Sequence, residues 1–406
     1  MRRALLAAVL TAIAVLPAAA QEKPKDWQPP PIEQIPNHRE LWRQVLIELG
    51  TYAKTRNPNF IVLARDGVEL VVKGRREVAW EQARDPDGRT FEKRLPLGSI
   101  FRPYVKILDG IVIDGLYCGP ARLTEPLDQA IETRREEDAR LADEKRRGIR
   151  HPPVGEPMGP FSIDPQVELK RAEELKVKAA RDERLRHVLR ALGALRASDR
   201  TILSIEDCHS PAEMQSAFAQ GARDHVTTFA AASDSKLDLL PAGHPFAENA
   251  APVTAIPGAR NWLPMLRGDR LGSRRQWVMA LRGSNYDVLV VDVAYRGSDP
   301  LTAADVAALK FKNLGAPRLV LADLPIGRAY DWRWYWRKDW QAGNPPFLFG
   351  VDSREPGAYI VDLDNPGWKE VLGKYIAGIM DLGFDGVVLD DLDTYLWFER
   401  LMPIPD

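Results

Sequence analysis

Three apolar runs in this 406-residue chain end on a carboxylate: GIVID at Asp114, VLVVD at Asp292 and GVVLD at Asp390. If the runs are strands of an α/β barrel, acids at their C-terminal ends stand where barrel active sites are built. Two such carboxylates on either side of one bond can serve as acid and as nucleophile or base, which is what glycoside hydrolysis requires. Taken singly, each acid reads equally well as the cap of a helix that follows its strand. Three at equivalent positions favour a site. A cluster of aromatics (Trp332, Trp334, Tyr335, Trp336 and Trp340) follows another apolar run, and ring faces near a barrel mouth can stack on sugars. At least two of the five are expected to pack beneath the loop, with Trp332 and Trp336 as the core pair because they share a helical face. Cys208 and His209 do not form a nucleophilic dyad, because consecutive strand side chains point to opposite faces. With six His and no spaced His pair, neither a metal nor a cofactor is expected.

Eight short apolar or β-branched runs must position these acids: 60–64, 110–114, 201–206, 225–230, 286–292, 318–324, 358–363 and 384–390. Most adjoin helix-like stretches such as 302–309 and 368–382. Apolar strands alternating with helices indicate a parallel sheet covered on both faces, and eight units suggest closure into a (β/α)8 barrel. An open doubly wound sheet is the competing architecture, but no glycine-rich phosphate loop follows the first run. Asp114 and Asp390 end the second and eighth runs, so strand parity lets them face one another across the mouth. Residues 123–200 exceed a minimal barrel. They begin densely charged (ETRREEDARLADEKRR, 132–147) and read as two long helices, an insertion with a solvated surface held by i,i+4 ion pairs or a docking face for a partner. Cys118 and Cys208 follow neighbouring strands near their C-terminal ends, which predicts a disulfide between two loops of the site.

Residues 1–20 read as a cleavable signal peptide. Arg2 and Arg3 precede an uncharged apolar run over 4–16, then Pro17 and Ala18-Ala19-Ala20 before Gln21. The run is too short for a permanent span, so a secreted or periplasmic protein without a stable membrane anchor after cleavage is expected. Residues 21–36 are a Pro-rich linker, and 37–406 are the barrel, with Asn37 as a candidate N-cap. Lys plus Arg (56) balance Asp plus Glu (57), which excludes a global field for nucleic acid.

The C-terminal third carries a resemblance. NYDVLVVD (285–292), LADLPIGRAYDWRWYW (321–336) and NPGWKEVLGKYIAGIMDLGFDGVVLDDLDTY (365–395) resemble, in order, motifs of glycoside hydrolase family 114, the endo-α-1,4-polygalactosaminidase family of (β/α)8 barrels. RELWRQVLIELGTYAKTRNPNFIVLARDGVEL (39–70), LDGIVIDGLYCG (108–119) and TILSIEDC (201–208) are similar to the other half of that family. The order is swapped, which implies a circular permutation: family strands five to eight come first and one to four last. A closed barrel permits this, because its first and last strands are neighbours. The resemblance implies an endo-acting hydrolase with a polysaccharide substrate, Asp390 and Asp114 as the carboxylate pair, and Asp292, Asp393, Arg328, Asp331, Arg333, Trp334 and Tyr335 against the substrate. Two family glutamates are Arg328 and Tyr330 here. Arg328 is expected to pair with Asp390 or Asp292 and to favour an anionic or acetylated sugar over a cationic polymer. The alternative is a non-catalytic barrel that binds carbohydrate or another envelope component through an eroded site.

Overall fold

A computed structural model describes residues 30–85, 87, 94–119, 122–149, 165–232 and 236–404. The expected signal peptide and most of the Pro-rich linker lie outside the described residues.

Eight parallel strands form one sheet: β1 (Ile61–Arg65), β2 (Gly110–Asp114), β3 (Thr201–Cys208), β4 (Thr227–Ala232), β5 (Trp262–Met265), β6 (Val288–Val291), β7 (Leu319–Pro325) and β8 (Gly386–Asp390). Their spatial order is β4-β3-β2-β1-β8-β7-β6-β5. The sheet curls into a nearly closed (β/α)8 barrel. The last strand lies between the first and the seventh, and the ladder is interrupted between β4 and β5, in the middle of the chain. Strand residues are almost all buried, and Trp42, Trp262, Trp277 and Trp368 are fully enclosed, so much of the high Trp content serves the core.

Seven of the expected runs are barrel strands. The eighth barrel strand is Trp262–Met265, whose four residues and internal Pro264 disguise it. A proline cannot donate to a ladder, and β5 tolerates it as an edge strand at the seam. The run 358–363 is instead Ala358–Val361 of a small antiparallel sheet, placed between Arg328–Tyr330 and Leu348–Val351. An apolar run records burial but not the direction of its partner. Asp114 and Asp390 still end the second and eighth barrel strands.

Helix starts follow their local sequence. The Asn37 side chain accepts from the Glu40 N–H (3.2 Å) and caps His38–Arg56. Thr302 and Asp305 form a capping box at Ala303–Leu309. Between β2 and β3, Leu127–Arg146 and Pro165–Arg196 run in opposite directions, since Asp128 meets Arg196 and Asp138 meets Arg190. The end of the second helix buries Ala191, Leu192 and Leu195 in the main core, and so covers the barrel itself. Among the described residues, no helix is long and apolar enough to cross a membrane. Residues 331–340 form turns, not a helix, so Trp332 and Trp336 share no helical face; both are half-buried.

Candidate active site

The strand register decides which acids meet. Ala64 on β1 pairs with Leu389 on β8, so Arg65 and Asp390 follow side by side. Arg65 pairs with Val112 on β2, so Asp114, two residues on, points the same way. Arg65 accordingly bridges both acids. Its Nε and Nη2 donate to Asp114 (3.1 and 2.6 Å), and Nη1 donates to Asp390 Oδ2 (2.9 Å). The other Asp390 oxygen accepts from the Asp391 N–H at 2.7 Å. The two acids singled out from sequence are thus joined through one guanidinium, with Asp390 buried and the Asp114 carboxylate partly open to solvent. Beside them stands Asp66, held at φ 59°, a left-handed conformation that Asp tolerates better than most residues. Burial pushes its carboxyl well above the usual range, and the Asp114 charge adds to the rise.

Beneath this layer lies an acid that sequence reasoning missed. Asp323 sits mid-strand on β7, paired with Val388, and therefore on the same face as Asp390. It is 5% exposed, and its Oδ1 has no hydrogen-bond partner among the described residues. The nearest guanidinium nitrogen, Arg333 Nη2, is 3.9 Å away, while Arg333 Nη1 donates to Asp292 (2.9 Å) and to the Tyr375 hydroxyl (2.5 Å). Burial, and then the Asp390 charge, raise the Asp323 carboxyl well above the usual range and favour its protonated form. The signal was present in the sequence: one acid inside the otherwise apolar LVLADLP.

The small antiparallel sheet builds one wall. Gly327 lets the chain leaving β7 lie against Asp391, where a Cβ would come within 2.4 Å of Asp391 O. Arg328 then pairs with Asp352 (2.9 Å), Asp391 and Asp393 (3.2 Å), and Tyr330 donates from its hydroxyl to Asp391 (2.8 Å). This corrects the expectation that Arg328 would pair with Asp390 or Asp292. Those acids are taken by Arg65 and Arg333, and the sheet aims Arg328 at the segment after β8. Burial raises Asp352, but hydrogen bonds from Arg354 and Arg328 outweigh it and bring the carboxyl down to about 2. Asp391, also left-handed (φ 59°), is pushed up to about 6 by burial, with Arg328 opposing the rise.

Other residues singled out from sequence divide between surface and interior. Trp334 is 55% exposed and presents an aromatic face, and Asp331 is also exposed. Tyr335 is buried against Trp368 and Tyr375, and its hydroxyl accepts from the Tyr330 N–H, which makes it part of the packing. Cys118 and Cys208 are bonded, as their strand positions predicted. Buried Glu206 accepts from the Tyr117 and Cys118 N–H groups (both 2.9 Å) and fixes the loop that carries this disulfide. Among the described residues, no group of three or more His, Cys, Asp or Glu is arranged to hold a metal ion.

Comparison with known proteins agrees with the C-terminal motifs. Residues 262–402 match the model of glycoside-hydrolase family GH114. An uncharacterized protein of Methanocaldococcus jannaschii is 32% identical over 122 residues, 30% of this chain and 34% of the relative. Uncharacterized proteins of Thermotoga maritima (29% over 121 residues) and Deinococcus radiodurans (30% over 141) cover 30% and 35% of this chain, and 36% and 43% of their own lengths. The matched stretch therefore spans less than half of each of these relatives. It runs from β5 to the helix after β8 and brings Asp292, Asp323 and Asp390 with it, whereas Arg65 and Asp114 lie outside it.

Proposed function

Taking residues 262–402 as a glycoside-hydrolase family GH114 segment, we propose that this barrel cleaves a polysaccharide internally, with Asp390 and Asp114 as its carboxylate pair. The observation that carries the reading is their convergence. Two acids from strands on either side of β1 reach one guanidinium at the C-terminal rim of the barrel. Asp323 and Asp66 stand beside them with carboxyls that favour the proton, and Trp334, next to Arg333, has an exposed ring face. Arg65 offsets part of the charge of the two acids, which makes the rim less attractive to a cationic polymer than an unpaired carboxylate pair and more open to a neutral or anionic one.

The family segment supplies β5 to β8 and the preceding residues supply β1 to β4, which supports a circularly permuted barrel. The ladder interruption between β4 and β5 falls where the family's own first and last strands would stand. Export to the periplasm or beyond is part of the same proposal, supported by the Cys118–Cys208 disulfide, a bond that persists in oxidising compartments.

A second reading has its own observation. Arg65 occupies the gap between the two acids, which also suits a non-catalytic barrel that binds carbohydrate through its rim. Reducing-end release from a panel of purified exopolysaccharides separates the two. The expected result is cleavage of a neutral or anionic polymer that Asp390→Asn and Asp114→Asn each abolish. Retention of a polymer without release, unchanged in both variants, favours the binding barrel.

A further inference from the structure

The opposite end of the barrel holds a cavity of about 660 Å³. It opens among the N-terminal ends of β3 and β4, next to the interruption between β4 and β5, and so lies away from the carboxylate rim. Its size falls within the range of small-molecule sites.

Arg200, half-buried, and Arg260, exposed, line the cavity, and neither makes a side-chain hydrogen bond or ion pair among the described residues. The Arg200 Nε is buried without an acceptor, a state that buried donors avoid unless something else satisfies them. Arg196, also in the lining, is spent on Asp128 and on the Asp224 carbonyl. Asp199 is the acid of the lining, and it makes no ion pair with Arg200 or Arg260. One wall is apolar. Phe218, on helix Pro211–Arg223, stacks on Phe246 from the loop between β4 and β5, with ring centroids 4.6 Å apart and planes 10° apart. His225, at φ 51°, also lines the cavity, in a left-handed conformation that a non-glycine residue adopts at some cost in strain.

We propose that this cavity binds a small organic anion, its charged head on Arg200 and Arg260 and its apolar body against Phe218 and Phe246. The Arg200 Nε, buried without an acceptor, and the exposed Arg260 beside it favour an anion, and the stacked rings favour one with more than a bare inorganic head. The inference is independent of the chemistry assigned to the rim.

The fluorescence of 8-anilinonaphthalene-1-sulfonate, an aromatic anion, tests it on the full chain. The Arg200→Gln/Arg260→Gln double variant is expected to bind the dye at least about tenfold more weakly than the unmodified protein. Phe246→Ala, at a partly exposed position, is expected to weaken binding several-fold. Circular dichroism and thermal midpoint should be unchanged in both, and Asp390→Asn should bind the dye normally. Unchanged affinity in the double variant overturns the proposal, because the dye then sits on apolar surface elsewhere. Loss of dye in Asp390→Asn overturns it too, because the dye then occupies the rim.

Discussion

The helical pair between β2 and β3 and the rim of the barrel use the same chemistry, arginine against carboxylate, in opposite surroundings. On the helices, Arg135 and Glu132 meet at 2.7 Å with side chains 67% and 55% exposed. In the rim, Arg333 and Asp292 meet at 2.9 Å with 6% and 9% exposed. The shorter pair costs less to break, because water screens it and solvates either partner if the other is lost. Each buried partner depends on the other, so a single change in the rim strands a charge. Distance ranks these pairs wrongly; burial ranks them.

The largest expected effect is that of Arg333→Leu, which leaves Asp292 without its guanidinium. Urea unfolding should show a loss of about 3–5 kcal/mol. A loss under about 1 kcal/mol would mean that rim pairs behave like helix pairs, and the contrast collapses. Next comes the covalent tie at the rim. Replacing both Cys118 and Cys208 by Ser frees a link across 90 residues and should cost about 2–4 kcal/mol in the same assay.

A smaller effect, opposite in sign, belongs to Asp323. Its folded carboxyl titrates well above the unfolded one, so its stabilising contribution is complete below the unfolded value of about 4 and is lost as pH rises through the folded value. Asp323→Asn removes that loss. The variant should be more stable than the parent at neutral pH, by about 1 kcal/mol or more, and the gap should close on acidification. Thermal midpoints measured across pH check this, and parallel curves for the two proteins would show that Asp323 carries no displaced proton. Smallest is Arg135→Ala on the exposed helix, within about 0.5 kcal/mol of the parent by urea unfolding.

Most of the barrel was legible because its strands are buried on both faces and read as plain apolar runs. Trp262–Met265 escaped because four residues with a central proline resemble a turn, and 358–361 misled because burial says nothing about which neighbour a strand takes. Asp114 and Asp390 were legible as acids that close apolar runs. Asp323 is not legible in the same way, since it lies in the middle of a strand and not at its end. The pairing of Arg65 with both acids, and of Arg328 with Asp352, Asp391 and Asp393, depends on register and on the small antiparallel sheet. Neither was available from spacing alone.

The place of the last strand has a consequence for the time at which the molecule can form. Ile61 pairs with Gly386, so one ladder of β1 joins residues more than three hundred positions apart. During synthesis β2 is made soon after β1, but the second neighbour of β1 follows more than three hundred residues later, and until then its other edge stays open. Contacts this distant in sequence slow folding, because a long loop must close before any bond rewards it. Arg65 in turn cannot reach Asp390 before β8 docks, so the rim is assembled in the same late step that closes β1 into the ring. A nascent chain of this protein therefore keeps that edge open, and lacks its carboxylate pair, until β8 has been made.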